Sequence, residues 1–271
     1  MNEITKTEQN SPVTENPWRQ LRRYTDARIA QGRSGVSLPT KALLEFQMDH
    51  ASARDAVHIA LKTEALAEQL KSAGYDAITL HSRAADRTEY LQRPDLGRRL
   101  DLRSVEQLEE YRQQHLESAS VAVVIADGLS SMAVQSHAMA MTQAVLSRLE
   151  NRGLKSAPVT IVSQGRVAVG DEVGELLGVE LLILLVGERP GLSSPDSLGI
   201  YFTFRPQVGL TDARRNCISN VRPAGMSIAA ATDKLIWLID ESQRLQCSGV
   251  GLKDQSVSAT IKQTHKNFLL P

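Results

Sequence analysis

Hydrophobic positions change their spacing along this chain near residue 120. Beyond that point, short unbroken apolar runs alternate with segments whose apolar residues recur every three or four positions. Val121-Ala122-Val123-Val124-Ile125-Ala126 is six apolar residues rich in β-branched types, the pattern of a strand buried on both faces. A helix follows, with Val134, Ala138, Met141, Val145 and Leu149 on one side and Gly153 past its end. Residues 158–162 read as a second strand, 171–177 as a short helix closed by Gly178, 179–186 as a third strand and 200–204 as a fourth. A last long helix carries Ile228, Ala231, Leu235, Leu238 and Leu245 on one face, with Gly249 beyond it. Buried strands alternating with amphipathic helices imply crossover connections and a mainly parallel sheet.

Before residue 120 the signals are helical. Asn16-Pro17 is a cap followed by proline at the first helical position, and Gly32 closes that stretch. Thr40 starts one long predicted helix through Leu43, Phe46, Val57, Leu61 and Leu70 to a stop at Gly74. Ser104 and Gln107 have capping-box spacing ahead of a helix bearing Val105, Leu108 and Tyr111. Residues 1–15 lack aromatic residues and periodicity and read as a disordered tail. The predicted class is therefore α/β: a mainly helical region over 16–118, then an open, mainly parallel Rossmann-like α/β domain over 119–271.

Composition narrows the function more than the fold. Lys plus Arg and Asp plus Glu are both 31, so a net charge of zero gives no electrostatic reason to seek nucleic acid or anionic lipid. Aromatic residues make up 4%, too few to suggest a base-stacking surface. Cys217 and Cys247 provide no disulfide framework, which fits a reducing cytosol. The polar N-terminus has no signal-peptide core, and the apolar run 181–186 is too short to span a bilayer, so a soluble intracellular protein is expected.

In an open α/β sheet, ligands sit beyond the carboxyl ends of the strands, where loop amides and helix N-termini are exposed. Three segments leave their strands there: Asp127-Gly128, Ser163-Gln164-Gly165-Arg166-Val167, and Gly187-Glu188-Arg189-Pro190-Gly191. The long loop expected over 205–220, which holds Cys217, returns to the same side, and loops of such length are often functional. Each residue also has a plainer reading. Glu188 beside Arg189 is a candidate surface ion pair worth under ~1 kcal/mol. Cys217 is a candidate small buried hydrophobe, Val167 a packing residue, and Asp127 either a helix cap or a site residue. Arg19, Arg22, Arg23, Arg28 and Arg33 form a basic stretch that is solvated, faces another subunit or, as a third reading, touches nucleic acid. The charged segment Leu91-Gln92-Arg93-Pro94-Asp95-Leu96-Gly97-Arg98-Arg99-Leu100 has no role that follows from its residues.

Dinucleotide-loop, P-loop and nucleophile-elbow glycine patterns are absent, and the six histidines show no zinc-ligand spacing. No catalytic or metal-binding constellation is visible in the chain itself.

Several longer stretches nevertheless resemble one family. They include Ala27-Arg28-Ile29-Ala30-Gln31-Gly32-Arg33-Ser34-Gly35, Asp49-His50-Ala51-Ser52-Ala53-Arg54-Asp55-Ala56-Val57 and Arg93-Pro94-Asp95-Leu96-Gly97-Arg98-Arg99-Leu100. Ile125-Ala126-Asp127-Gly128-Leu129-Ser130 and Gly165-Arg166-Val167 follow in order. The most specific are Leu184-Leu185-Val186-Gly187-Glu188-Arg189-Pro190-Gly191-Leu192 and Asn216-Cys217-Ile218-Ser219-Asn220. Across residues 16–250 the chain resembles the small subunit of adenosylcobalamin-dependent ethanolamine ammonia-lyase.

The resemblance implies a lyase that converts ethanolamine to acetaldehyde and ammonia by radical rearrangement, begun by homolysis of the cobalt–carbon bond of adenosylcobalamin. It implies that ethanolamine and the radical chemistry belong to a separate large subunit, in an assembly of six large and six small subunits. Adenosylcobalamin would lie at their boundary, with Val167, Glu188 and Cys217 as this chain's cofactor-binding residues. It further implies a bacterial microcompartment where the host has one, and otherwise the cytoplasm. The absence of Asp-x-His-x-x-Gly agrees with a cofactor that keeps its own base on cobalt. Two other readings are a free-standing nucleotide-using Rossmann-like enzyme, which would need a glycine-rich phosphate loop, and a nucleic-acid adaptor built on the arginine-rich stretch.

Overall fold

The central sheet forms because each of its strands buries apolar residues on at least one face. The computed structural model describes residues 12–115 and 119–254. Its elements are α1 (Thr40–His58), α2 (Thr63–Ser72), β1 (Ala77–His81), α3 (Arg87–Gln92) and α4 (Leu102–Gln114). They continue with β2 (Val121–Ala126), α5 (Ser131–Glu150), β3 (Val159–Ser163), α6 (Val169–Leu177), β4 (Leu181–Gly187), β5 (Leu198–Phe204), β6 (Arg215–Val221) and α7 (Ile228–Leu245). The strand order is β1-β3-β2-β4-β5-β6. The first four strands are parallel, and β5 and β6 are added antiparallel. This open, mostly parallel sheet matches the expected α/β class.

The two faces of the sheet have separate cores. Val123, Ile125, Ile183, Leu185 and Phe202 point to the side covered by α2, α5 and α7. Ala122, Val124, Leu182 and Leu184 point to the side covered by α4 and α6. β2 and β4 are buried at every position, which is why both read as continuous apolar runs. Helix α5 buries all five residues of its expected stripe. In α7, Ala231, Leu235 and Leu238 are buried, but Leu245 at the helix end is 42% exposed.

Several expectations are corrected. Within the region expected to be mainly helical, sequence reasoning missed β1, which pairs with β3 along Ala77–His81. The stretch 16–31 forms only a 3-10 helix, Pro17–Arg23, whose cap Asn16 accepts a hydrogen bond from the Trp18 N–H. The long helix expected from Thr40 to Gly74 is two, because extended backbone at Ile59 ends α1 before α2 begins at Thr63. The cap of α4 is Asp101, which accepts from the Ser104 N–H, so Ser104 lies inside the helix. Strand β6 takes up residues 215–220 of the loop expected over 205–220. Of the tail expected over 1–15, residues 1–11 lie outside the described residues, while Thr14 exchanges both backbone hydrogen bonds with Arg33. No helix among the described residues is long and apolar enough to cross a membrane.

Candidate functional site

The segments after β2, β3 and β4 meet at one edge of the sheet, and two glycines set how closely. Gly128 has φ +59, and a Cβ on it would lie 2.2 Å from the Gly187 carbonyl oxygen. A Cβ on Gly187 would lie 2.0 Å from the carbonyl oxygen of Ser130. Only glycine lets these two backbones cross, and the Leu129 N–H then donates to the Gly187 carbonyl.

Asp127 joins the β2 end to the β3 end. It is 2% exposed, and its two carboxylate oxygens accept from the N–H groups of Gln164 and Gly165, both at 2.9 Å. It caps no helix, because Ser130 caps α5. Burial pushes its carboxyl above the ordinary range, opposed by the Arg87 guanidinium 3.6 Å away and by those N–H bonds. Asp127 thus fixes the turn that leads to Arg166 and Val167.

A cleft of about 1080 Å³ opens beside these turns, lined by residues from every segment so far named. Val167, Glu188 and Cys217 all lie on it, although 50 residues of chain separate the first from the last. Val167 is half-buried and also packs on the core beneath α6, so its packing and lining readings both hold. Glu188 is the first residue beyond β4. Its Oε2 accepts from the Ser197 hydroxyl and, at 3.1 Å, from the Asn220 N–H. Among the described residues no ion pair joins it to Arg189, so the surface-pair reading is set aside. Gly199 leaves the space its side chain fills, since a Cβ there would lie 3.0 Å from the Glu188 Cγ.

Cys217 is on β6, opposite Tyr201 of β5, and is open to the cleft, not a buried hydrophobe. The surrounding protein still strips enough water from the thiol to raise its pKa, with the Tyr201 hydroxyl pulling it down and the Glu188 charge adding to the rise. Burial likewise raises the Tyr201 phenol.

Sequence reasoning left out much of the opposite wall. The charged segment Arg93 to Leu100 packs on the β3 turn, where the Arg166 N–H donates to the Gly97 carbonyl at 2.7 Å. Glu172 of α6 holds the far end of the segment. Its oxygens accept from Arg99 Nη2 at 2.7 Å and from the Leu100 N–H at 2.6 Å. The Tyr90 ring lies between the guanidinium groups of Arg87 and Arg166, 4.5 and 4.3 Å from its centroid. Burial pushes the Tyr90 hydroxyl up to about 12. At the start of β6, buried Arg215 bridges Asp171 and Asp212. Burial raises Asp171, and Arg215 opposes that rise. Arg98, Arg166 and Arg189 line the cleft without an ion-pair partner among the described residues. Cations and donors beside apolar Val167, Leu129 and Val186 suit a large amphiphilic ligand with anionic and amide groups.

Comparison with known proteins agrees on one family. The ethanolamine ammonia-lyase light chain family matches residues 15–253. An ethanolamine ammonia-lyase small subunit of Azotobacter vinelandii is 55% identical over 263 residues, covering 96% of this chain and 97% of that protein. One of Pseudomonas putida is 56% identical over 268 residues, with coverage of 96% and 97%. One of Ralstonia nicotianae is 54% identical over 258 residues, with coverage of 95% and 96%. With a family match over most of its length and close relatives end to end, the chain belongs to the ethanolamine ammonia-lyase light chain family.

Proposed function

We propose that this chain helps to hold adenosylcobalamin in the cleft beside β4, β5 and β6, as the small subunit of an ethanolamine ammonia-lyase whose large subunit binds ethanolamine. The observation that carries the reading is the meeting of Val167, Glu188 and Cys217 on one cleft from three separate segments. The residues fit the group's chemistry. Val167 and Val186 offer apolar surface to a macrocycle, the Glu188 carboxylate accepts from amide or hydroxyl donors, and Arg98, Arg166 and Arg189 offer positive charge to a phosphate.

When bound, the cofactor supplies the radical chemistry. This chain supplies position, charge and exclusion of water. A nucleotide enzyme is the weaker reading, because the first βα turn has no glycine-rich loop and crosses the β4 end tightly at Gly128 and Gly187.

Titrating adenosylcobalamin into complexes of wild type and Glu188→Gln with the large subunit tests the reading. Hydrogen bonds to charged groups are worth about 1.5–3 kcal/mol, so affinity should fall roughly ten- to hundredfold. Glu188 also holds Ser197 and Asn220, so thermal melts run alongside. Wild-type cofactor affinity in a variant of normal stability would leave Glu188 as a wall residue only and remove it from the site.

A further inference from the structure

Large hydrophobic side chains are exposed at fourteen positions among the described residues, and ten of these lie between Trp18 and Ile59. They include Trp18 at 65%, Tyr24 at 73%, Val36 at 103%, Leu44 at 55% and Met48 at 71%. Over residues 12–58, Pro39 and Ala56 alone are buried. A segment that buries so little cannot offset the entropy of ordering it, and exposure on this scale marks a surface made to be covered.

We infer that residues 17–58 form a docking surface for the large subunit, and that the patch receiving them is apolar at its centre and acidic at its rim. Charge selects this occupant over a second copy. Residues 16–33 hold five arginines against one aspartate, a local net charge of +4 in a neutral chain. Arg19 pairs with Glu15 and Arg28 with Asp49, whereas Arg22, Arg23 and Arg33 enter no ion pair among the described residues. A two-fold contact between copies would set these cations against each other, while an acidic partner complements them.

The surface is also continuous with the cleft. Arg87 donates from Nε to the Val57 carbonyl at the end of α1 and from Nη1 to the Gly128 carbonyl, at 2.6 and 2.9 Å. A partner seated on α1 therefore reaches the rim of the cleft. Arg28 clips the arginine-rich segment onto the same helix through Asp49 and lies over the Phe46 ring at 5.7 Å. The inference rests on membership of the family and on a large-subunit partner; it does not depend on what fills the cleft.

Leu44 and Met48 share one face of α1, four residues apart. The double variant Leu44→Lys with Met48→Lys, co-expressed with tagged large subunit, should lower the co-purified small subunit at least about tenfold, as loss of central interface anchors does. Leu245→Lys with Val250→Lys, on the exposed apolar residues at the C-terminal end, is the control and should co-purify as wild type. Amide exchange of the wild-type proteins gives a readout that no variant can confound: residues 17–58 should gain protection in the complex and have little in the isolated small subunit. Wild-type recovery of the α1 variant, or unchanged exchange over 17–58 in the complex, overturns the inference. Full protection in the isolated small subunit also overturns it, in favour of contact between copies. Adenosylcobalamin titration of the same complexes reads the cleft separately, so failure of one proposal is not failure of the other.

Discussion

Glu172→Gln is the sharpest test of how the cleft wall is held. Glu172 is 5% exposed and each of its oxygens accepts one bond, from Arg99 Nη2 and from the N–H of fully buried Leu100. A carboxamide has one acceptor oxygen, so its NH₂ must face one of these two donors. If the oxygen keeps Leu100, Arg99 loses its partner. That side chain is 41% exposed, so water screens much of the loss. If the oxygen keeps Arg99, the Leu100 N–H is orphaned in the core at about 1–3 kcal/mol. The variant settles in the arrangement that keeps the Leu100 bond, so what is lost is the partly screened Arg99 pair and the expected cost is about 1 kcal/mol. For a chain of this size that is a fall of roughly 2–4 °C in Tm by calorimetry. Glu172→Ala, which leaves both donors without a partner, should cost more. The bond lost is the exposed Arg99 pair, so much of the Gln deficit should be screened away at high salt. Amide exchange at Leu100, which keeps its acceptor, should stay near wild type in the Gln variant and speed up in Glu172→Ala. A Gln variant that melts within about 1 °C of wild type would refute this account of the wall.

Other outcomes follow from the same geometry. Gly128→Ala combines a strained φ with a Cβ 2.2 Å from a backbone oxygen, and Gly187→Ala meets backbone at 2.0 Å. Each should lose about 3 kcal/mol or more in urea denaturation, and a loss under about 1 kcal/mol would mean the crossing relaxes easily. The raised Cys217 pKa leaves the thiol mainly protonated at neutral pH, so alkylation should be slow there and accelerate as pH rises through the raised value. Tyr201→Phe removes the hydroxyl that pulls this pKa down, so the acceleration should move to higher pH; a move to lower pH would contradict the assigned contact.

How much of this was readable depended on where each residue's constraint comes from. β2 and β4 announce themselves because burial on both faces demands unbroken apolar runs. β6, Arg215-Asn216-Cys217-Ile218-Ser219-Asn220-Val221, is an edge strand with one buried side, and its polar residues read as loop. β1 is five residues long, and its identity rests on pairing with β3, far along the chain. The break after α1 carries no glycine or proline, so periodicity ran across it. Topology led to the segments that hold Val167 and Glu188, since both follow strand ends, while the family resemblance singled out the residues. Tyr90, Arg87 and Arg166 matter through a stack assembled from segments about 75 residues apart, which no local pattern encodes. The Arg93 to Leu100 segment was conspicuous in sequence, but its role as a wall appears only once Glu172 of α6 lies beside it.

Helices α5 and α7 pack on β5 and β6 from one side, while on the other side Tyr201 and Cys217 face the cleft. In the sandwich logic of an α/β domain, that half of the sheet has received one slice and not the second. On the reading proposed above, the ligand in the cleft would complete the sandwich, standing where another protein of this class would spend a helix. Ligand and structural layer are then one object. On the same reading, a ligand that binds the folded chain alone would raise its folding stability by RT ln(1 + [L]/Kd).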